Sequence, residues 1–125
     1  MQNSGKVVLV IEDNEINMRL FRDILEAHSY HVSEATNGME GWRSACERQP
    51  DLIVMDIQLP DVSGLEVTGW LKDDDNLKSV PIIAVSAFAV AGDDKKILKS
   101  GCDAFIPKPI SIPKFLQTIE RLFAE

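Results

Sequence analysis

Residues 51–56 read Asp-Leu-Ile-Val-Met-Asp, a run of four apolar side chains that ends in a carboxylate. A short apolar run bounded by polar residues is typical of a β-strand buried within a sheet. Residues 81–86, Pro-Ile-Ile-Ala-Val-Ser, form a second run of this kind, with proline at the first position, where a strand tolerates it. Near-continuous apolar strands are a feature of parallel sheets that helices cover on both faces. These segments therefore predict an α/β protein.

Strands and helices are predicted to alternate along the rest of the chain. Three more strands are expected at 6–11, 30–35 and 103–107, and the half-polar second one suits a sheet edge. Helix starts are indicated by capping residues or by the onset of helical periodicity near Asn14, at Asn37, at Ser63, around residue 93 and after Ser111. Five strand–helix units in series predict a five-stranded parallel sheet between two layers of helices.

The strand order follows from the handedness of the connections. Right-handed crossovers leave few arrangements open, and we predict the flavodoxin-like, doubly wound order 2-1-3-4-5. Strands 1 and 3 are then neighbours, and strand 2 lies at an edge. A chain of 125 residues has the size of one domain. We expect that domain to span residues 1–125, with a core at about 6–123 and no output domain.

The composition narrows the possible functions. Thirteen basic residues against 20 acidic ones give a net charge of −7. This argues against nucleic acid, whose phosphates need a basic face, and against anionic membrane surfaces. The apolar runs are too short to cross a bilayer and residues 1–6 lack a secretory apolar core, so we expect a cytoplasmic protein. Cys46 and Cys102 form no C-x-x-C pattern and are predicted to be reduced and partly buried.

Polar side chains stand at the carboxyl ends of four predicted strands. They are Glu12 and Asp13 after strand 1, Asp56 at the end of strand 3, Ser86 at the end of strand 4 and Lys108 after strand 5. Ligands bind at this edge of a doubly wound sheet. Carboxylates 4–5 Å apart repel one another by about 3–4 kcal/mol per pair, so a compensating cation is expected. Carboxylate oxygens with water suit Mg2+ better than Ca2+, and Mn2+ is expected to substitute.

These residue types together predict phosphoryl transfer. Asp56 is the candidate nucleophile, because a carboxylate can form an aspartyl phosphate. The candidate Mg2+ ligands are Asp13, Asp56, the backbone carbonyl of Gln58 and, through water, Glu12. Lys108 would neutralise charge on the phosphoryl oxygens, and Ser86 would donate a hydrogen bond to one of them.

Other functions compete for this pattern. A nucleotide or flavin site would want a glycine-rich loop after strand 1, where residues 12–15 read Glu-Asp-Asn-Glu. Haloacid-dehalogenase phosphatases pair an aspartate nucleophile with Mg2+ and carry a second Asp two residues further on. Gln58 stands at that position here, and its amide cannot do acid–base work. A degenerate interaction domain on the same fold, without phosphorylation, is a third alternative.

The set of motifs resembles that of response regulator receiver domains of the CheY-like superfamily. Their acidic pair, phosphoacceptor, hydroxyl residue and lysine correspond to Glu12-Asp13, Asp56, Ser86 and Lys108-Pro109. The segment 54–60, Val-Met-Asp-Ile-Gln-Leu-Pro, resembles the family's phosphoacceptor segment, and the likeness extends over about 6–123. Within the family, four segments are similar to those of DivK-type single-domain regulators of cell polarity and the cell cycle: 12–18, 56–60, 64–68 and 108–111.

The resemblance implies a role in a two-component system or phosphorelay. A histidine kinase or histidine phosphotransfer protein would donate the phosphoryl group to Asp56, and phosphorylation would change protein binding. The chain would catalyse its own phosphorylation and slow dephosphorylation without being a conventional enzyme. The output partner is expected on the helix 4–strand 5–helix 5 face, with helix 1 facing the kinase, and kinase partners are expected to recruit the protein to a cell pole. A cis peptide bond between Lys108 and Pro109 is also implied.

Several positions depart from the commoner family pattern. Glu12 and Ser86 replace Asp and Thr, and Ser86 still offers a hydroxyl donor. Phe105 replaces Tyr, so a switch formed by Ser86 and Phe105 would work through ring movement, without a hydroxyl hydrogen bond. Gln58 and Phe88 occupy positions that tune hydrolysis in the family, and the bulky Phe88 is expected to slow an attacking water.

Overall fold

The computed structural model describes residues 5–87 and 93–124, over which five strands alternate with five helices. The strands are β1 (Val7–Ile11), β2 (His31–Ala35), β3 (Leu52–Asp56), β4 (Ile82–Ser86) and β5 (Ala104–Pro107). The helices are α1 (Glu15–Ala27), α2 (Gly38–Glu47), α3 (Gly64–Asp73), α4 (Asp93–Lys99) and α5 (Ile112–Ala124). Each strand lies within the predicted range, with its start one residue later.

The five strands form one parallel sheet in the order β2-β1-β3-β4-β5, which confirms the predicted topology. Every residue of β3 and β4 is buried, as expected for central strands with helices on both faces. The strand β2 lies on one side of β1, and β3 lies on the other side, where Ile11 pairs with Met55. The order in which strands are added to the sheet therefore changes direction between β1 and β3. The carboxyl ends of these two strands therefore lie side by side at the switch point.

Alternate side chains of each strand enter two separate cores. On β1, Val8 and Val10 pack with α1 and α5, whereas Leu9 and Ile11 pack with the helices α2, α3 and α4. This division follows from the two-residue period of a strand. The two cores fix the sheet from both sides and leave its carboxyl edge to the loops.

Among the described residues, four helices begin at side-chain caps, and at α5 the cap is Ser111, whose Oγ accepts from Lys114 N at 3.4 Å. The oxygen atoms of Asn14, Asn37 and Ser63 accept backbone N–H groups of the first turns of α1, α2 and α3. At α2, the predicted partner Glu40 also bonds backward, since its Oε1 accepts from Thr36 N at 3.0 Å. Each cap satisfies N–H groups that have no partner within the helix.

The two cysteines differ in exposure. Both are free, Cys102 is buried, and Cys46 is exposed, so the prediction of partial burial was wrong for Cys46. The buried positions of α2 are Gly38, Gly41 and Ala45, and a helical step of one residue turns Cys46 away from that line. Small residues give a weak periodic signal, so the sequence does not show which residues of α2 face the core.

Gly41 allows α2 to pack closely on the sheet. A Cβ at this position would overlap Cδ1 of Ile11, whose side chain is fully buried. Gly69, in the middle of α3, has no atom within 4 Å of the corresponding point. The two helical glycines can therefore be compared directly, because a side chain at Gly41 would meet Ile11 whereas a side chain at Gly69 would enter open space.

We predict opposite effects for the two alanine substitutions. Gly69→Ala should stabilise the protein by about 0.5–1 kcal/mol, because alanine is the better helix former and finds open space. Gly41→Ala should destabilise it by about 1–3 kcal/mol, because overpacking against Ile11 outweighs that gain. Urea unfolding of both variants measures the difference, and a stabilising Gly41→Ala would show that α2 can move away from the sheet without cost.

Candidate functional site

Three carboxylates meet at the carboxyl edge of the sheet. Glu12 and Asp13 follow β1, Asp56 ends β3, and one oxygen of each lies within 4.8 Å of the others. Glu12 and Asp56 are buried, whereas Asp13 is exposed. The structure thus brings together the acidic residues that the strand ends predicted, with Asp13 on the solvent side.

Lys108 reaches this cluster from the edge strand β5. Its Nζ donates to Glu12 Oε1 at 2.8 Å and to Asp56 Oδ2 at 3.0 Å. Its backbone N–H donates to the carbonyl of Ser86 at 2.8 Å, which fixes the start of the side chain beside the end of β4. The next peptide bond, Lys108–Pro109, is cis. One ammonium group therefore joins the carboxyl ends of β1, β3 and β5.

Burial and the hydrogen bonds of Lys108 shift the pKa values of Glu12 and Lys108 in opposite directions. Burial raises the pKa of Glu12, the charge of Asp56 adds to that increase, and the hydrogen bond from Lys108 counters it. Burial alone would lower the pKa of Lys108, but its hydrogen bonds to Glu12 and Asp56 and their charges raise it above the ordinary value. Lys108 therefore stays protonated, and three carboxylates face one cation.

The two oxygens of Asp56 have different partners. Oδ2 accepts from Lys108, and Oδ1 accepts from the backbone N–H of Gln58 at 2.9 Å. These bonds fix the carboxylate plane at the end of β3. The Gln58 side chain is exposed, so the residue contacts the site through its backbone.

Ser86 and Phe105 lie on the neighbouring strands. Ser86 is the last residue of β4 and is buried, and the adjacent Val85 pairs with Asp56. Phe105 is partly buried against the α2–α3–α4 core and pairs with Ala84. Phe88, to which the sequence assigned an effect on hydrolysis, lies outside the described residues.

A groove of about 740 Å3 opens beside the cluster along α1. Glu12 and Asp13 line it together with Arg19 and Arg22 of α1. Two of the three clustered carboxylates therefore border this groove.

Sequence reasoning missed one residue of this region. Asp61, in the loop after β3, accepts hydrogen bonds from the backbone N–H groups of Gly38 and Met39 at the start of α2. A Pro-Asp pair at 60–61 marks a turn in the sequence. Nothing local in that signal points to a helix 22 or 23 residues earlier in the chain.

The fold and this cluster define a class of signalling domain. The family model of the response regulator receiver domain matches residues 8–120, and the chain belongs to that family. It is a response regulator of a two-component system. It is 57% identical over 115 residues to the polar-differentiation response regulator DivK of Brucella anthropi, covering 92% of this chain and 94% of that protein. The DivK protein of Brucella ovis is 56% identical over the same shares of the two chains.

Solved structures of receiver domains have the same fold. The receiver domain of a Pseudomonas aeruginosa sensor histidine kinase, with a magnesium ion coordinated in its active site cleft, matches with a TM-score of 0.90 and 30% identity over 98% of this chain and 100% of that one. A CheY-like receiver domain protein of Methanospirillum hungatei matches with a TM-score of 0.87 and 28% identity over 97% and 96% of the two chains. Within the described residues, no helix has the length and apolar character needed to cross a membrane.

Replacing Lys108 should make stability depend on pH. We expect Lys108→Met to cost about 2 kcal/mol at about pH 7.5, because Glu12 and Asp56 lose their shared cation. The pKa of Glu12 is already raised in the folded protein, so the folded state takes up a proton more readily than the unfolded one. The lost stability should therefore return as the pH falls toward about 5.

Urea unfolding at the two pH values tests this expectation. Lys114→Met, at an exposed lysine of α5, is the control and should change stability by less than about 0.5 kcal/mol. An equal loss for Lys108→Met at both pH values would show that the ammonium group does not compensate the buried carboxylates.

Proposed function

We propose that Asp56 accepts a phosphoryl group from a phosphohistidine in a histidine kinase or histidine phosphotransfer protein. The observation that supports this proposal is the placement of the Asp56 carboxylate within reach of both Lys108 and two further carboxylates. A carboxylate oxygen would form a bond to phosphorus while the phosphorus–nitrogen bond of the donor breaks.

The chemistry of the cluster fits a divalent cation. With three carboxylates and one ammonium group, the cluster carries excess negative charge, and carboxylates within 4.8 Å of one another repel by about 3–4 kcal/mol per pair at an effective dielectric of about 20. Asp13 and Asp56 would hold Mg2+ directly, with the Gln58 carbonyl as a further ligand and Glu12 acting through water. Bound there, Mg2+ would neutralise charge on the transferred group. Mn2+ takes the same oxygen ligands and is expected to substitute.

Lys108 and Ser86 would act on the phosphoryl oxygens. Lys108 is already held next to the oxygen of Asp56 that it contacts, so its charge lies where negative charge develops during transfer. Ser86 ends the neighbouring strand, and its hydroxyl would donate to a phosphoryl oxygen. Movement of Ser86, followed by the ring of Phe105, would transmit the change to the surface.

The output would be phosphorylation-dependent protein binding on the α4–β5–α5 face. Helix α1, which lines the groove beside Asp13, would face the phosphodonor. We propose that residues 1–125 form a single receiver domain. It would act in the cytoplasm and be recruited to a cell pole by its kinase partners. We expect it to bind neither nucleic acid nor membranes. The similarity to DivK proteins, which are named polar-differentiation response regulators, supports the link to cell polarity. Self-catalysed phosphorylation and slow dephosphorylation would be its only chemistry.

Phosphorylation by a small donor tests the central step. Incubation with acetyl phosphate and Mg2+ should add one phosphoryl group by intact mass, and Asp56→Asn or a metal chelator should abolish the adduct. Ser86→Ala should slow its formation by about 10–100-fold without abolishing it, because one hydrogen-bond donor is lost. Asp75→Asn, at a highly exposed aspartate, is the control and should react like the unmodified chain.

The alternatives give different results in the same assay. A folded protein that takes up no phosphoryl group would favour the degenerate interaction domain. Rapid turnover of small phosphate esters would favour a phosphatase. Either result would overturn the proposal.

Mg2+ should also stabilise the folded protein. Binding to the folded state alone raises the free energy of unfolding by about 1.4 kcal/mol at a Mg2+ concentration about ten times Kd. Asp13→Asn should remove most of this gain, whereas Asp75→Asn should keep it. Thermal unfolding with and without Mg2+ measures the effect, and equal stabilisation of Asp13→Asn would place the cation elsewhere.

A further inference from the structure

The loop between β3 and α3, residues 57–63, carries the Gln58 carbonyl assigned above to Mg2+. The base of this loop is fixed to the strands: Ile57 N donates to Val85 O at 3.0 Å, and Gly64 N donates to Ile57 O at 2.8 Å. A Cβ at Gly64 would overlap the backbone oxygen of Asp56, so the loop closes directly on the phosphoacceptor. The loop therefore leaves and rejoins the site over a very short distance.

The tip of the loop is joined to α2 by Asp61. Its Oδ1 accepts from Gly38 N at 2.7 Å, and its Oδ2 accepts from Met39 N at 2.9 Å. Backbone N–H groups, that of Met39 first, lower the pKa of Asp61 below its ordinary value, so the carboxylate stays ionised at neutral pH. A negative charge at a helix N-terminus is favourable, which strengthens the contact.

The shape of α2 accommodates this contact. A Cβ at Gly38 would overlap Cγ2 of Val62 and would lie 3.2 Å from Oδ1 of Asp61. The missing side chain thus lets residues 61 and 62 rest directly on the first turn of α2. Asn37 caps the same helix end separately, because its Oδ1 accepts from Glu40 N at 2.8 Å.

We propose that Asp61 is a positioning residue for the cation site. By tying the loop tip to α2, it fixes the orientation of the Gln58 carbonyl relative to Asp56. Gln58 N bonds to Asp56 Oδ1, so the peptide before Gln58 is set by the strand, whereas the peptide after it leads to the tip that Asp61 holds. This inference rests on the proposed function, since it concerns the same Mg2+ site.

Removing a group that orients a metal ligand without itself binding the metal typically weakens metal binding by 10–100-fold. Asp61 makes no contact with the reacting atoms, so its loss should act on cation binding and leave the transfer step largely intact. We expect Asp61→Ala to raise the Kd for Mg2+ about tenfold. At saturating Mg2+, phosphorylation by acetyl phosphate should stay within about threefold of the unmodified rate.

Isothermal titration of the full chain with Mg2+ tests the proposal, with Asn37→Ala as the matched control. Asn37→Ala removes a cap from the same end of α2 but leaves the contact between Asp61 and the helix. Its Kd should stay within about twofold of the unmodified value. Asp61→Asn keeps one acceptor oxygen and should give an intermediate Kd. If circular dichroism shows that Asp61→Ala does not fold, the Kd of Asp61→Asn tests the proposal instead.

Two results would overturn the proposal alone: an unchanged Kd in Asp61→Ala and Asp61→Asn, or an equal increase in Asn37→Ala, which would indicate a general loosening of α2. Absence of Mg2+ binding by the unmodified chain would overturn the proposed function as well. The two failures are therefore distinguishable in one experiment.

Discussion

The ammonium group of Lys108, held between Glu12 and Asp56, is the interaction on which the site depends. It offsets the repulsion between two buried carboxylates, one directly after β1 and one at the end of β3. Lys108 directly follows the edge strand β5, and only β4 lies between β5 and β3, so its long side chain reaches Asp56. The observed strand order therefore makes the ion pairs possible.

The apolar cores of the molecule stabilise the fold and so compensate for the repulsion between the clustered carboxylates. Central strands buried along their whole length and two separate helix-covered cores supply apolar burial far from the acidic edge. The conflict of like charges is confined to the end of the sheet, where loops can adjust. A cation that binds there reduces the repulsion between the carboxylates, so this repulsion in the unliganded site favours cation binding.

Much of the fold could be predicted because it rests on local patterns. Residues 52–56 form a strand because of their apolar run, and the polar residues at or just after the ends of β1, β3, β4 and β5 mark the edge where side chains converge. Cys46 was misplaced because the inner face of α2 consists of small residues, whose periodic signal is weak. The hydrogen bonds that Asp61 accepts from Gly38 and Met39 join residues 23 and 22 positions apart, and no local pattern encodes such a contact.

The glutamate at position 12 gives Lys108 a second anchor. Glu12 Oε2 accepts from Asn14 N at 3.1 Å, while its Oε1 accepts from Lys108, so the longer side chain spans the start of α1 and the lysine at once. In the proposed reaction, phosphorylation of one Asp56 oxygen removes the carboxylate charge of Asp56 and so weakens its direct attraction to Lys108. The bond to Glu12 would keep the ammonium group in place beside the new phosphoryl oxygens. Glu12 would then contribute to the phosphorylated state through Lys108 as well as through the cation.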